Sequence, residues 1–196
     1  MSHGQKKIIV FASGSGTNAE KIMQRVQSSG VAQVSAVYCN NPAAGVIVRA
    51  KRLEVPVRIF ENTQLTNPEI VGQWLQQDAP DLIVLAGFLR KIPGFIVANF
   101  PRRMVNIHPA LLPEFGGKGM YGMNVHRAVK DSGVAETGIT IHYVSPAYDE
   151  GAVIFQAKTP VAESDTPEDI ARKVQILEHE HYPRIIVELL NDMDHG

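Results

Sequence analysis

Apolar runs rich in β-branched residues alternate along the first half of the chain with segments of helical spacing. The apolar runs predict strands buried on both faces, and they lie at residues 7–12, 34–39, 55–59 and 81–86. The segments between them predict helices, and they lie at residues 19–26, 43–53 and 68–77. Such alternation is typical of βαβ units with right-handed crossovers. We therefore expect an α/β fold with an open, twisted, mostly parallel sheet and helices on both faces.

The pattern changes in the second half of the chain, where apolar and polar positions alternate. The strands predicted there lie at residues 102–105, 137–144 and 152–158. The helices predicted there lie at residues 124–131, from 167 to Pro183, and at 184–191. Thr166 and Pro167 have the residue types favoured at an N-cap and at the first helical position. Because the last two strands alternate, we expect them to be partly antiparallel.

Composition and charge narrow the class of protein. The chain has 196 residues, a length that predicts a single domain over residues 1–196. Hydrophobic residues make up 44% and charged residues 20%, which is ordinary for a globular protein. A formal net charge of -1 gives no general attraction to nucleic acid or to membranes. Residues 1–5 lack the apolar segment of a signal peptide, and no apolar run is long enough to span a membrane. We expect a cytoplasmic protein.

Cysteine and histidine spacing argues against a metal site or a disulfide. Cys39 is the single cysteine, so no intramolecular disulfide can form. No His-Glu-x-x-His or Cys-x-x-Cys spacing occurs, and His179 and His181 do not share a helix face. We expect no metal.

The strongest chemical signal is the segment at residues 106–113. Asn106 and His108 are two residues apart, which places both side chains on one face of an extended segment. Pro109 and Pro113 prevent a regular continuation. The pair therefore lies at a strand end, and in open α/β sheets ligands bind at the carboxyl ends of strands.

A glycine-containing turn at residues 13–18 joins the first predicted strand to the first predicted helix. This context gathers backbone N–H groups at a helix N-terminus, where anions bind. No Lys-Ser or Lys-Thr pair follows, which favours a phosphate monoester over a nucleoside triphosphate. The alternative is a tight turn in which Thr17 or Asn18 caps the helix.

Three motifs together resemble the glycinamide ribonucleotide formyltransferase family. They are Ser-Gly-x-Gly-Thr-Asn at residues 13–18, Asn-x-His-Pro-x-Leu-Leu-Pro at residues 106–113, and Asp-x-Gly at residues 149–151. The resemblance extends over about residues 7–190. It implies a Rossmann-like fold and formyl transfer from 10-formyltetrahydrofolate to the amine of glycinamide ribonucleotide (GAR) in purine synthesis. Both substrates are small molecules, and the protein would be a monomer or a homodimer.

The resemblance also implies which residues bind each substrate. Those expected to hold the phosphate and ribose of GAR are Ser15, Gly16, Thr17, Asn18, Ala19, Gln175 and Glu178. Those expected to line the folate site are Leu89, Arg90, Lys91, Ile92, Asn106, Ser145, Pro146, Ala147, Tyr148 and Asp149. Relatives often carry an arginine at this place that suits the folate's glutamate tail, whereas residues 61–69 contain no arginine or lysine.

The expected chemistry rests on Asn106, His108 and Asp149. His108 is the general acid and oxyanion stabiliser, because imidazole titrates close to neutral pH. Asn106 offers an amide N–H to the oxyanion. The resemblance nominates Asp149 as the carboxylate that raises the pKa of His108 and keeps it protonated; from sequence alone Glu150 is a rival. Either Asp149 or a water could accept the proton of the amine.

The segment around His126 departs from the family pattern. Relatives often carry a histidine pair there, whereas this chain has Asn124 and His126. We expect His126 to be a helix-surface residue without a catalytic role.

Three other functions would also explain parts of this sequence. A methionyl-tRNA formyltransferase normally has a further C-terminal domain and a basic surface, and the charge of -1 and the chain end at Gly196 disfavour it. A formyltetrahydrofolate deformylase normally has a further N-terminal domain, and here the first strand starts at about Lys7. A non-catalytic nucleotide-binding module would explain the glycine turn but not Asn106, His108 and Asp149.

Overall fold

Seven strands form one sheet at the centre of the computed structural model, which describes residues 5–193. The strands are β1 (Lys6–Ala12), β2 (Ala32–Cys39), β3 (Val57–Ile59), β4 (Leu82–Leu85), β5 (Met104–His108), β6 (Glu136–Tyr143) and β7 (Val153–Pro160). Their order in the sheet is β3-β2-β1-β4-β5-β6-β7. Pairs from β3 to β5 are parallel, while β5–β6 and β6–β7 are antiparallel. The mostly parallel sheet with antiparallel last strands is therefore confirmed.

Helices cover both faces of this sheet. They are α1 (Thr17–Ser29), α2 (Gly45–Arg52), α3 (Asn62–Leu65), α4 (Gln73–Asp78), α5 (Gly94–Asn99), α6 (Met123–Ser132) and α7 (Pro167–Asp192). A single π-helical turn, Pro68–Gly72, precedes α4. Alternate residues of one strand enter different cores: Ile8 and Val10 pack with α1 and α7, and Ile9 and Phe11 pack on the other face. The continuous apolar runs are thus explained by burial on both faces.

The last helix differs from its prediction. We expected a break at Pro183, but α7 continues through Pro183 to Asp192 and is 26 residues long in all. Proline removes one backbone hydrogen bond, and this cost is met here by burial, because Tyr182, Ile185 and Ile186 are at most 5% exposed. The prediction was wrong because tertiary packing outweighed a local propensity.

The sequence pattern did not predict the short helices, and β5 begins and ends about two residues later than expected. Helix α3 has four residues and α5 has six, so neither completes the periodicity that marks a helix. The predicted helix at residues 68–77 is divided into the π-helical turn and α4. Strand β5 continues past Asn106 to His108, so both polar side chains lie within its carboxyl end. Within residues 5–193, no helix is both long and apolar enough to cross a membrane.

Candidate active site

A cavity of about 650 Å³ opens at the carboxyl ends of the central strands. Its walls come from the turn after β1, the loop after β4, the end of β5, the loop before α6, the loop after β6, and α7. Parallel strands of an open sheet place their carboxyl ends at one edge, and this is where the polar motifs of the sequence meet. Residues that are far apart in the chain therefore share one cavity.

Most of the residues expected from sequence line this cavity. Those in its wall are Ser15, Gly16, Thr17, Asn18, Leu89, Arg90, Lys91, Ile92, Asn106, His108, Ser145, Ala147, Tyr148, Asp149, Gln175 and Glu178. Ala19 is fully buried beneath the first turn of α1, and Pro146 is exposed, so neither side chain belongs to the wall. Glu150 is exposed and also lies outside the wall. Geometry thus favours Asp149 over Glu150 as the acid of the cavity.

The carboxylate of Asp149 lies between two buried imidazoles. Its Oδ2 is 3.6 Å from Nδ1 of His108, and its Oδ1 is 3.7 Å from Nε2 of His142. Nε2 of His108 lies 2.8 Å from the carbonyl oxygen of Phe115. A carbonyl can only accept, so Nε2 carries a hydrogen and Nδ1 is the nitrogen left facing Asp149.

Burial decides the protonation state of His108. Desolvation lowers its pKa below 6.5, while the charge of Asp149 and the Phe115 carbonyl raise it. The net shift is downward, so Asp149 acts in the expected direction without overcoming burial. Our expectation that His108 is kept protonated does not hold for the unliganded chain, in which neutral imidazole is the favoured form at neutral pH.

Asn106 is oriented by His142, which the sequence did not nominate. Nδ1 of His142 lies 2.9 Å from the carbonyl of Tyr143, so Nδ1 carries the hydrogen and Nε2 accepts. Nδ2 of Asn106 lies 3.1 Å from that Nε2 and donates to it. Burial lowers the pKa of His142, which keeps the ring a neutral acceptor. One amide hydrogen of Asn106 is thereby fixed, and the second remains for a ligand.

Asp149 also fixes the loop in front of α6. Its Oδ2 accepts a hydrogen bond of 2.9 Å from the backbone N–H of Gly117. Asp149 has a φ of 54°, a left-handed conformation that aspartate tolerates better than most residues. A Cβ at Gly151 would lie 1.6 Å from the carbonyl oxygen of Tyr143, so only glycine fits there. The Asp-x-Gly motif is thus a turn that delivers the carboxylate.

The glycine turn at residues 13–18 places backbone N–H groups in the wall of the cavity. Gly16 is the N-cap of α1 with a φ of 77° and makes no side-chain cap bond, so the alternative cap at Thr17 or Asn18 is wrong. Within the described chain, no protein group accepts the backbone N–H groups of residues 16–19. Nδ2 of Asn18 donates to Oε2 of Glu178 over 2.9 Å. Burial raises the pKa of Glu178, and that hydrogen bond lowers it by less.

The loop after β4 is held by Ser13. Its Oγ accepts from the N–H of Leu89 over 3.1 Å and donates to Oδ1 of Asn40 over 2.7 Å. The ring of Phe88 packs edge-on against Phe11, with centroids 5.2 Å apart. The apolar base of the loop is thereby anchored in the core, while its backbone stays at the cavity.

A family model described as formyl transferase matches residues 6–186, which is most of the chain. The chain belongs to the formyl transferase family. The resemblance expected from the three motifs is therefore confirmed.

Named relatives of this formyl transferase agree with that assignment. The chloroplastic phosphoribosylglycinamide formyltransferase of Arabidopsis thaliana is 38% identical over 188 residues, which are 93% of this chain and 64% of that protein. The chain therefore spans somewhat less than two thirds of that relative. The phosphoribosylglycinamide formyltransferase of Bacillus subtilis is 35% identical over 196 residues, covering 97% of this chain and 98% of the relative.

Solved structures share the fold. The crystal structure of glycinamide ribonucleotide transformylase 1 from Symbiobacterium toebii has a TM-score of 0.88 and 33% identity, covering 97% of this chain and 90% of that chain. Phosphoribosylglycinamide formyltransferase from Bacillus halodurans has a TM-score of 0.85 and 36% identity, covering 94% of this chain and 95% of its own.

His126 corrects a second expectation about this formyl transferase. It is 7% exposed and lines the cavity, so it is not the helix-surface residue that we expected. Helix α6 buries Val125 and Val129 in the core that it shares with α7 and the sheet, and His126 follows Val125 directly in the chain. Burial and the charge of His108 both lower the pKa of His126.

Among residues 5–193 no group of three or more histidine, cysteine, aspartate or glutamate side chains could hold a metal ion. Cys39 is buried, and its thiol donates to the carbonyl of Asn41.

Proposed function

We propose that this formyl transferase moves the formyl group of 10-formyltetrahydrofolate to the amine of GAR. The observation that carries the proposal is the cluster of Asn106, His108 and Asp149 in one cavity, with the carboxylate 3.6 Å from the imidazole. The names of the relatives, phosphoribosylglycinamide formyltransferase, support GAR as the acceptor. The domain extent of residues 1–196, a cytoplasmic location and a monomeric or homodimeric state stay predictions.

GAR would bind at the glycine-turn end of the cavity. The free N–H groups at the start of α1 suit its phosphate, because a helix N-terminus carries a partial positive charge. Gln175 and Glu178 line the same end from α7. A carboxylate is unfavourable beside phosphate, so Glu178 suits the ribose hydroxyls.

The folate would bind between the loop after β4 and the loop after β6. Backbone groups at a strand end can pair with the edge of a flat heterocycle, and Leu89 and Ile92 add apolar surface to the cavity. Nζ of Lys91 lies 5.1 Å from the ring centroid of Tyr148, so the two loops are in contact across this end.

The amine of GAR attacks the formyl carbon, forming a carbon–nitrogen bond and a tetrahedral oxyanion. The free amide hydrogen of Asn106 and protonated His108 stabilise the oxyanion, and one such donor is worth about 2.7–4 kcal/mol. The oxyanion adds its charge to that of Asp149 in favouring the imidazolium, which offsets the effect of burial. The amine then loses a proton to Asp149 or to a water. The oxyanion collapses to a carbonyl as the bond to the folate nitrogen breaks, and protonated His108 gives its proton to that nitrogen.

The test is turnover with both substrates, followed by folate absorbance. We expect formyl transfer that depends on GAR. His108→Ala should lower kcat by about 10²–10⁴-fold while the Kd for GAR changes little. His181→Ala, outside the cavity wall, is the control and should keep its kcat. Release of formate without GAR would instead indicate a deformylase, and unchanged turnover in His108→Ala would reject the assignment.

A further inference from the structure

Helix α2 packs tightly against the glycine turn. The N–H of Val46 donates to the carbonyl of Gly14 over 3.2 Å. A Cβ at Gly16 would lie 2.5 Å from Cβ of Val46, and a Cβ at Gly45 would lie 3.0 Å from the carbonyl oxygen of Ser15. The turn and the start of α2 therefore form one unit that tolerates no added side chain at Gly16.

Arg49 on α2 ties that unit together. Its Nε donates to the carbonyl oxygen of Ser15 over 2.9 Å, and its Nη1 forms an ion pair with Glu20. Arg52, one turn further along α2, pairs with the other oxygen of Glu20. Arg49 therefore binds both Glu20 and the carbonyl of Ser15, whereas Arg52 binds Glu20 but not the turn.

The bond to Ser15 fixes the direction of a backbone donor. In a trans peptide the carbonyl oxygen of one residue and the N–H of the next point in opposite directions. Holding the Ser15 oxygen on Arg49 therefore turns the N–H of Gly16 away from α2. That N–H has no acceptor in the part of the chain that the structure describes, and Gly16 lines the cavity.

The charges of Glu20, Arg49 and Arg52 also favour an anion at the glycine turn. Glu20 lies in the first turn of α1 and is 8% exposed, so its negative charge lies close to the donors at residues 16–19. An unpaired carboxylate there would repel an incoming anion. Arg49 and Arg52 neutralise it.

From this arrangement we infer that Arg49 is a positioning residue for the phosphate of GAR. It acts through the Ser15–Gly16 peptide rather than by contact with the reacting atoms. The inference rests on the proposed function, because it assigns the phosphate to the glycine turn. Arg52 supplies a matched comparison, since it shares the helix, the charge and the partner Glu20 but not the bond to Ser15.

The test compares Arg49→Gln with Arg52→Gln in the full chain. We expect Arg49→Gln to raise the KM for GAR about tenfold or more, the effect of one misplaced charge-assisted hydrogen bond. The kcat and the KM for 10-formyltetrahydrofolate should change little. Arg52→Gln should raise the KM for GAR much less. Equal increases in the two variants would overturn the inference.

A substrate without phosphate separates positioning from a general structural effect. With glycinamide ribonucleoside, wild type and Arg49→Gln should have the same KM, because the group that needs the turn is absent. A rise in KM that persists with the ribonucleoside would also overturn the inference. Arg49→Lys is the second variant if Arg49→Gln does not fold; it keeps the charge and loses the forked geometry, so its KM should rise less.

Calorimetric measurement of GAR binding without folate tests the role of Arg49 separately from the formyl transfer. If wild type binds GAR but does not transfer a formyl group, the proposed function fails, while the Arg49 effect on Kd can still be measured. If wild type transfers the formyl group and both arginine variants bind GAR equally well, only the inference about Arg49 fails.

Discussion

The carboxylate of Asp149 lies beside two imidazole rings and accepts a hydrogen bond from a loop. The oxygens of Asp149 lie 3.6 Å from His108 and 3.7 Å from His142, and one of them also accepts the N–H of Gly117. The carboxylate therefore acts both on the charge of His108 and on the position of the loop before α6. These two effects can be separated by replacing aspartate with the nearly isosteric asparagine.

Asp149→Asn should lower the pKa of His108 further below its ordinary value of 6.5, because the charge that favours the imidazolium is removed while burial remains. The pKa of His142 should fall as well, since Asp149 raises it too. An NMR titration of the imidazole signals measures both. His179 is the internal control, because its pKa is lowered by burial, Lys21 and Arg49 and not by Asp149. An unchanged or raised pKa of His108 would reject the electrostatic pairing.

His142→Ala should lower kcat by about tenfold to a hundredfold, part of the 2.7–4 kcal/mol that a complete oxyanion donor supplies. Without Nε2 of His142 the amide of Asn106 has no fixed acceptor and can turn over. The KM for GAR should change little, because His142 lines the cavity from β6, whereas the phosphate is assigned to the turn after β1. Steady-state kinetics provide the measurement. A loss that appears in KM alone would show that His142 does not orient Asn106.

Sequence spacing was sufficient for Asn106 and His108 because two residues on one strand share a face whatever the fold. It was insufficient for His142, which lies opposite Asn106 only through the antiparallel register of β5 and β6. A histidine within an alternating strand was the only available signal, and it does not reveal which neighbour it meets. The burial of His126 likewise depended on which face of α6 packs into the core.

At the scale of elements, the turn after β5 is fixed by one hydroxyl of β6. Oγ1 of Thr140 donates to the carbonyl of Ala110 over 2.8 Å and accepts the N–H of Leu112 over 2.9 Å. Nε2 of Gln156 on β7 donates to the same hydroxyl and to the carbonyl of Leu112. The segment after His108 is thereby attached to two antiparallel strands.

Thr140→Val should destabilise the fold by about 1–3 kcal/mol, because the buried N–H of Leu112 and carbonyl of Ala110 lose their partner. Thr137→Val is the matched control on the same strand, since the Thr137 hydroxyl is buried without a partner among the described residues and its removal should cost little. Urea unfolding of both variants measures the difference. Equal free energies of unfolding for the two variants would contradict the role of Thr140.

Elements with a clear local hydrophobic pattern could be predicted from the sequence. Elements whose bounds depend on contacts with distant residues could not. The strands buried on both faces gave continuous apolar runs that depend only on the sheet being covered on two sides. Helix α7 continues through Pro183 because Tyr182 is anchored beneath the sheet, where its hydroxyl donates to the carbonyls of Leu85 and Val105. Those partners lie far away in the sequence, so local propensity pointed to a break.

For the molecule as a whole, gathering histidines in one buried region makes stability depend on pH. Burial lowers the pKa values of His108, His126 and His142 below 6.5. In the unfolded chain these rings titrate at about 6.5. The unfolded state therefore binds more protons than the folded state as the pH falls through 6.5 towards the folded pKa values.

The free energy of unfolding should consequently fall on acidification from about pH 7.5 to 5.5, by about 1.4 kcal/mol for each unit of pKa depression. Glu178 opposes this fall, because burial raises its pKa above 4.5 and the folded state then binds the additional proton. Glu178→Gln should remove that opposition and make the fall steeper, whereas His142→Gln should make it shallower. Urea unfolding across the pH range measures all three slopes. Stability that is constant or rises on acidification in wild type would show that the three imidazoles are not held neutral by burial.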